Sequence, residues 1–168
     1  MLQLVTMIDA YGGIAARREL IAAGIPADWI IIAMRGGSIE RIRNGWYAAP
    51  DEPDQLKQAW RVGGRLGCVS AANFHGEKLP TGGLLHVNVS RRSAGLRQPD
   101  DKRTKLSAQW NPRLVIHWVD EPSMQDLQPW LRKAAPLETA LEQAQACAQA
   151  RAAARVAAAD DAARQRKR

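Results

Sequence analysis

The sequence predicts an α+β fold, with an N-terminal winged helix-turn-helix followed by a small α+β domain and a C-terminal alanine-rich helix. Three observations predict it. First, three short segments with helical apolar spacing are punctuated by Gly12-Gly13, Gly24 and Gly36-Gly37, and an Asn44-Gly45 pair between two β-prone runs follows them. Second, residues 84–89 and 114–119 alternate as strands on either side of a basic stretch. Third, fifteen of the last 35 residues are alanine, the strongest helix former. The expected division is 1–50 for the winged helix-turn-helix, 51–66 for a linker helix, 67–135 for the α+β domain with its basic loop, and 136–168 for the C-terminal helix and basic tail.

In the first unit, Leu2, Leu4, Val5 and Ile8 share a helical face that ends at Gly12-Gly13. Residues 15–23 read as a second short helix, with Ile14, Leu20 and Ile21 turned inward and Gly24 in the place of a C-cap glycine. Pro26 opens a third helix at its first turn, where a missing N–H costs nothing, and this helix runs to about Arg35. Ile39 and Ile42 flank charged positions in the next run, and Asn44-Gly45 ahead of Trp46-Tyr47-Ala48 predicts a hairpin closed by a type I′ turn. A second helix, a glycine turn and a third helix present that third helix to a DNA groove, with the hairpin beside it as a wing. The same outline also serves contacts with protein alone. Asp54 is expected to cap a linker helix over 55–61 that carries Leu56 and Trp60 on one face. Residues 69–74 form another short helix. In the tail, Leu137, Leu141, Ala144 and Ala148 trace one helix face, and 164–168 is a basic, solvated end.

The formal net charge is +7, from 24 Lys+Arg against 17 Asp+Glu, which favours a polyanionic partner. Residues 1–50 carry a net +1, whereas residues 91–105 alone supply +4 through Arg91, Arg92, Arg97, Lys102, Arg103 and Lys105 against Asp100 and Asp101. No apolar run approaches the roughly 20 residues of a membrane span; the longest, residues 29–34, has six. The first eleven residues hold Asp9 and no Lys or Arg, so no secretory signal is expected and the chain reads as cytoplasmic. Cys68 and Cys147 lie 79 positions apart, which makes neither a disulfide framework nor a CxxC metal site, and no metal or cofactor is expected.

On the third helix, Ala27, Asp28, Ile31, Ile32 and Arg35 face outward if Ile30, Ala33 and Met34 face the core. Ile31 or Ile32 then meets thymine methyls, Asp28 accepts from cytosine N4, and Arg35 meets phosphate or guanine. The alternative buries both isoleucines against the second domain. Arg17 and Arg18 on the preceding helix are placed to cross the backbone. Arg41 and Arg43 alternate along the wing with Asn44 at its tip, and arginines there suit a narrow minor groove. A third helix this poor in cations needs help with phosphate. The Arg91-Arg92 pair and the Arg97–Lys105 loop, with Lys102 and Arg103, are therefore expected on DNA as well. Either a monomer or a homodimer is compatible with this.

Taken in order, Gly12-Gly13-Ile14-Ala15, Arg18-Glu19-Leu20, Ala23-Gly24-Ile25, Gly37-x-Ile39, Arg41-x-Arg43 and Gly45-Trp46-Tyr47-Ala48 resemble the N-terminal winged-helix domain of AbiEi-type antitoxins. Gly64-Arg-Leu-Gly-Cys68-Val-Ser70-Ala71, Phe74-His75-Gly76, Leu85-His86-Val-Asn-Val89 and Val115-Ile-His117-Trp118 are similar to the region that follows in actinobacterial relatives, so the resemblance covers about residues 10–120. It implies a head that binds operator DNA as an autoregulatory repressor, and a remainder that opposes a nucleotidyltransferase-like toxin. Many relatives end in a Vsr-like endonuclease domain; this chain is too short for one and has no Glu-x-Lys pair. The outline also suits a phage immunity repressor.

No enzyme is expected. His86 and His117 each lie in an apolar strand, where a histidine is ordinarily packed, and Cys68 near His75 has no specific spacing. Gly63-Gly64 and Gly82-Gly83 lack the Lys-Ser/Thr of a phosphate-binding loop. A third class is an antitoxin that works mainly by protein contact with its toxin, through the alanine-rich tail. Trp110, Trp118 and Trp130 are read as core residues rather than anchors for such a partner.

Overall fold

A computed structural model describes residues 2–109 and 111–165, without the side chains of Leu2 and residues 160–164. Among the described residues the chain is mixed α+β, with six α-helices and two three-stranded sheets. Trp110 and residues 166–168 of the basic end lie outside them.

The N-terminal part begins with α1 (Leu2–Ala10), whose Leu4 and Ile8 are buried, and it ends at Gly12-Gly13 as the sequence predicts. The predicted second helix starts two residues late. Ile14–Ala16 is instead a strand, β1, and α2 covers Arg17–Ala22. All three β1 residues are buried, and they pair antiparallel with β3 (Trp46–Ala48), Ile14 opposite Ala48 and Ala16 opposite Trp46. The ladder satisfies these buried backbone groups, and that outweighs the helix propensity of two alanines. Ile21 is exposed rather than turned inward. α3 spans Ala27–Arg35, with Pro26 one place earlier than expected, at the N-cap.

β2 (Glu40–Arg43) and β3 form the predicted hairpin, and the first sheet runs β1-β3-β2. Its turn is not type I′. That turn needs left-handed backbone at both central residues, yet Gly45 has φ +74° and Asn44 is not left-handed. The ladder slips instead, pairing Arg41 with Tyr47 and Arg43 with Trp46, so β2 carries the irregularity.

The second sheet holds β4 (Arg65–Leu66), β5 (Leu85–Ser90) and β6 (Leu114–Val119). β5 pairs antiparallel with β4 and parallel with β6. Between the sheets lies α4 (Asp54–Val62), the helix expected as a linker. Its Leu56, Ala59, Trp60 and Val62 are buried in one cluster with Ile14, Ile42 and Trp46 of the first sheet and Val87 and Val89 of the second. The N-cap is Pro53 and not Asp54, which is already helical and gives no side-chain cap. β4 approaches β5 so closely that a Cβ on Gly64 would run into the Asn88 carbonyl. A second cluster, with Leu4, Ile8, Leu20, Ile25, Ile30 and Ile39, fills the head itself.

Arg132 joins the two halves. It is 2% exposed, and its guanidinium binds both carboxylate oxygens of Glu19, donates to the Ile14 carbonyl at 3.1 Å and lies 5.1 Å from the Trp46 ring. Trp60 Nε1 donates to the Arg132 carbonyl at 2.9 Å.

α5 (Cys68–Phe74) packs on the second sheet, and α6 (Leu137–Gln165) packs along α5. Leu137, Ala140, Ala144 and Cys147 are the more buried positions of α6, while Leu141 and Ala148 of the expected face are exposed and line the cleft that α6 makes with Val69 and Leu79. Trp118 and Trp130 are exposed, 46% and 75%, and are not core residues. No described helix is long and apolar enough to cross a membrane.

Candidate nucleic-acid interface

α3 turns Ile30 and Ala33 inward and leaves Asp28, Ile31, Ile32 and Arg35 exposed, so neither isoleucine is buried against the rest of the chain. Ala27 is half-buried. Trp29 is also exposed, and the outward pattern read from the sequence missed it. On α2, Arg17 and Arg18 are exposed, and Arg18 donates to the Gln125 carbonyl at 2.5 Å.

The basic stretch is ordered by its own hydrogen bonds. Arg97 bridges antiparallel to Lys105, and the Gln98 N–H donates to the Thr104 carbonyl at 3.0 Å. At the tip, Asp101 accepts from the Thr104 hydroxyl at 2.6 Å and from the Arg103 N–H at 2.8 Å, and these bonds hold its carboxyl below the usual range. The loop then docks on α4 and β2. Arg61 donates to the Pro99 carbonyl at 3.2 Å, Gln58 to Asp100 at 3.2 Å, and Lys102 to the Arg41 carbonyl. Burial of the Lys102 ammonium lowers its pKa.

This docking makes two clefts with the hairpin between them. One, of about 680 Å³, lies between the end of α3 and the loop and is lined by Met34, Arg41, Asn44, Lys102 and Arg103 among others. The other, of about 320 Å³, is lined by Arg43, Asn44, Trp46, Arg92 and Met124 among others. Arg43 reaches back to the Gly95 carbonyl at 3.2 Å and the Arg61 carbonyl at 3.4 Å. Its burial, with Arg97 nearby, lowers its pKa. The predicted residues therefore separate. Arg41, Arg43, Asn44, Arg92, Lys102 and Arg103 gather around the hairpin. Arg91 stands apart at the end of β5, 3.6 Å from Asp120, and Arg97 and Lys105 form the loop's base rather than a cleft wall.

Glu40 is the acidic group in the larger cleft, and its charge is engaged by Arg61 at 2.6 Å and by buried Lys57 at 3.2 Å. Burial alone would raise its pKa, but the hydrogen bonds from Arg61 and Lys57 outweigh that and hold it below its ordinary 4.5. Its contribution to stability is thus complete above 4.5 and is lost as the pH falls through the lower folded value. Glu40→Gln is expected to lower the melting temperature at pH 7, with the gap to the parent closing in acid. A gap of the same size in acid would contradict this.

Away from the two clefts, Cys68, His86, His117 and Cys147 converge, their donor atoms all within 4.8 Å of one another. Burial, with His117 and Arg151 acting in the same sense, pushes the His86 pKa down to about 4, and burial pushes the Cys68 thiol up to about 11. Spacing along the chain did not foretell this group. His75 is not part of it and faces the Ala135 carbonyl at 2.8 Å. Compared with protein-family models and with curated proteins, the chain matches none.

Proposed function

We propose that this chain is a sequence-specific double-stranded DNA-binding repressor of the autoregulatory kind that its resemblance to AbiEi-type antitoxins implies. In this reading α2, α3 and the β2–β3 hairpin make a winged helix-turn-helix. The β1-β3-β2 sheet supports it, because a strand between the first and second helices seats the hairpin beside the third. The observation that carries the proposal is the arrangement of cations. Arg41, Lys102 and Arg103 line one side of the hairpin and Arg43 and Arg92 the other, with Asn44 at the ridge. Backbone phosphates on both sides of a groove need such a pair of basic flanks. α3 supplies the readers, Asp28 and Arg35 for hydrogen bonds and Ile31 and Ile32 for thymine methyls.

A second reading rests on the exposed Trp29, Ile31 and Ile32 of α3. An apolar helix surface also fits a protein partner, such as a nucleotidyltransferase-like toxin. The two readings separate in one experiment. The full chain is titrated by fluorescence anisotropy against the duplex upstream of its own gene and against a scrambled duplex. Binding to the first tighter by about a thousandfold is expected of a repressor. Equal or absent binding, together with co-purification of the neighbouring gene product, would overturn the DNA reading in favour of the protein one.

A further inference from the structure

α6 poses a packing problem. It runs 29 residues, is built largely of alanine, and buries little beyond Ala140. Leu137, Gln143, Ala144 and Cys147 are only half-buried, and every residue described from Ala148 to Ala159 is exposed. A face this small gives weak hydrophobic anchoring at about 25 cal/mol per Å². The side chains that Cys147 meets are a thiol and two imidazoles, with the Arg151 guanidinium one turn further along α6 acting on all three.

We propose that Cys68, His86, His117 and Cys147 form a Cys2His2 site for a tetrahedral divalent metal ion, zinc by its donor set, which fastens α6 to α5 and the second sheet.

Four elements supply one donor each: the first residue of α5, the parallel strands β5 and β6, and the middle of α6. Bonds of about 2.0–2.3 Å to nitrogen and sulfur make a tetrahedron with edges of about 3.3–3.8 Å, inside the 4.8 Å within which all four donors fall. His86 Nδ1 and His117 Nε2 lie 3.0 Å apart with their rings stacked, sharing one proton in a hydrogen bond that a metal ion would replace. The groups find partners within the cluster, His86 with His117 and the Cys68 thiol with that of Cys147. His86 is 1% exposed, so its ring meets the cluster and not solvent. No carboxylate belongs to the cluster, and two thiolates balance a divalent ion within the protein.

The backbone is strained where it delivers the first ligand. Cys68 has φ +50° and is the one non-glycine residue with positive φ among those described. Such a conformation persists only where its surroundings enforce it, and it gathers at functional sites. The Cys68 N–H donates to Gln143 Oε1 of α6 at 2.9 Å, so the same helix that brings Cys147 also fixes the Cys68 turn. Zinc coordination needs both thiols as thiolates, and their two protons leave to solvent on binding. No oxidant or reductant takes part. The proposal is independent of DNA binding, since none of the four residues lines either cleft beside the hairpin.

The test uses the full chain under reducing conditions. It is purified with no added metal, assayed for bound metals by mass spectrometry, stripped, and titrated with Co²⁺ and then Zn²⁺. The expected result is one ion per chain. The Co²⁺ form should show intense tetrahedral d–d bands with thiolate charge transfer, and Zn²⁺ should displace Co²⁺ and raise the melting temperature with the logarithm of the free ion concentration. Cys147→Ser and His117→Asn, both at half-buried positions, are expected to fold, shown by circular dichroism, and to bind Co²⁺ at least about a hundredfold more weakly. Cys147→Ser should also lose much of the charge-transfer band. His75→Asn should change none of this. Failure of the folded parent chain to take up either ion would overturn the proposal. So would a six-coordinate spectrum without thiolate bands, or unchanged Co²⁺ binding in both variants. Isolation of the chain only as a metal-free Cys68–Cys147 disulfide that binds nothing after reduction would overturn it as well.

Discussion

Arg132→Ala is expected to cost about 3–5 kcal/mol of stability, the range found when one partner of a buried ion pair is removed. The reason lies in what the side chain leaves behind. Glu19 keeps its charge at the junction, 18% exposed, with its main cation gone. The Ile14 and Leu127 carbonyls lose their guanidinium donors. The Trp46 face loses its cation, although Trp46 remains 4.6 Å from Trp60. For a chain of this length the melting temperature should fall by about 6–20 °C. Arg132→Met with Glu19→Gln separates charge from packing. The double variant should recover most of the loss, because an uncharged pair of similar volume leaves no buried charge unpaired. Equal losses in the single and double variants would show that the guanidinium acts through its shape alone. Thermal melts of the four chains of this cycle give the coupling directly.

Arg92→Glu with Arg103→Glu is expected to weaken binding to the duplex by roughly a hundredfold or more, taking about 1.5–3 kcal/mol for each charged hydrogen bond lost. These two residues stand on opposite flanks of the hairpin, one in each cleft, and both side chains are exposed. Each phosphate released removes about 0.9 from the slope of log K against log salt, so the slope should shrink by about 2. Net charge alone does not explain such a change. Lys78→Glu with Arg155→Glu makes the same change in charge at exposed positions that line neither cleft, and it should leave the slope nearly unchanged. If both pairs flatten the slope equally, the hairpin flanks are not the contact surface.

Much of the succession of elements was legible in the sequence. Residues 2–10, 27–35 and 137 onward show helical periodicity or helix-forming composition, and the structure has helices there. The β5 and β6 strands follow their alternation to within one residue. Part of the candidate surface was legible too. The exposure of Asp28, Ile31, Ile32 and Arg35 follows from which α3 residues are needed for the core. What could not be read is where the basic residues go. Six cations between 91 and 105 look equivalent along the chain. Only the docking of the loop on β2 and α4 brings Lys102 and Arg103 beside Arg41 while leaving Lys105 at the base. Trp29 was missed for a related reason, since a tryptophan in an apolar run reads as core.

The local elements of this protein, and the glycines that end many of them, were determined by the sequence alone, because periodicity and backbone freedom act over a few residues. Three features belong to the tertiary structure. β1 is a strand because Trp46–Ala48 pairs with it from thirty residues away. α4 is central because both sheets bury their apolar faces on Trp60 and its neighbours. Cys68 and Cys147, 79 positions apart, share one small volume with His86 and His117 because β5 and β6 run parallel, α5 lies on β5, and α6 packs along α5. Each depends on contacts between distant segments, and such contacts leave no local period in the chain.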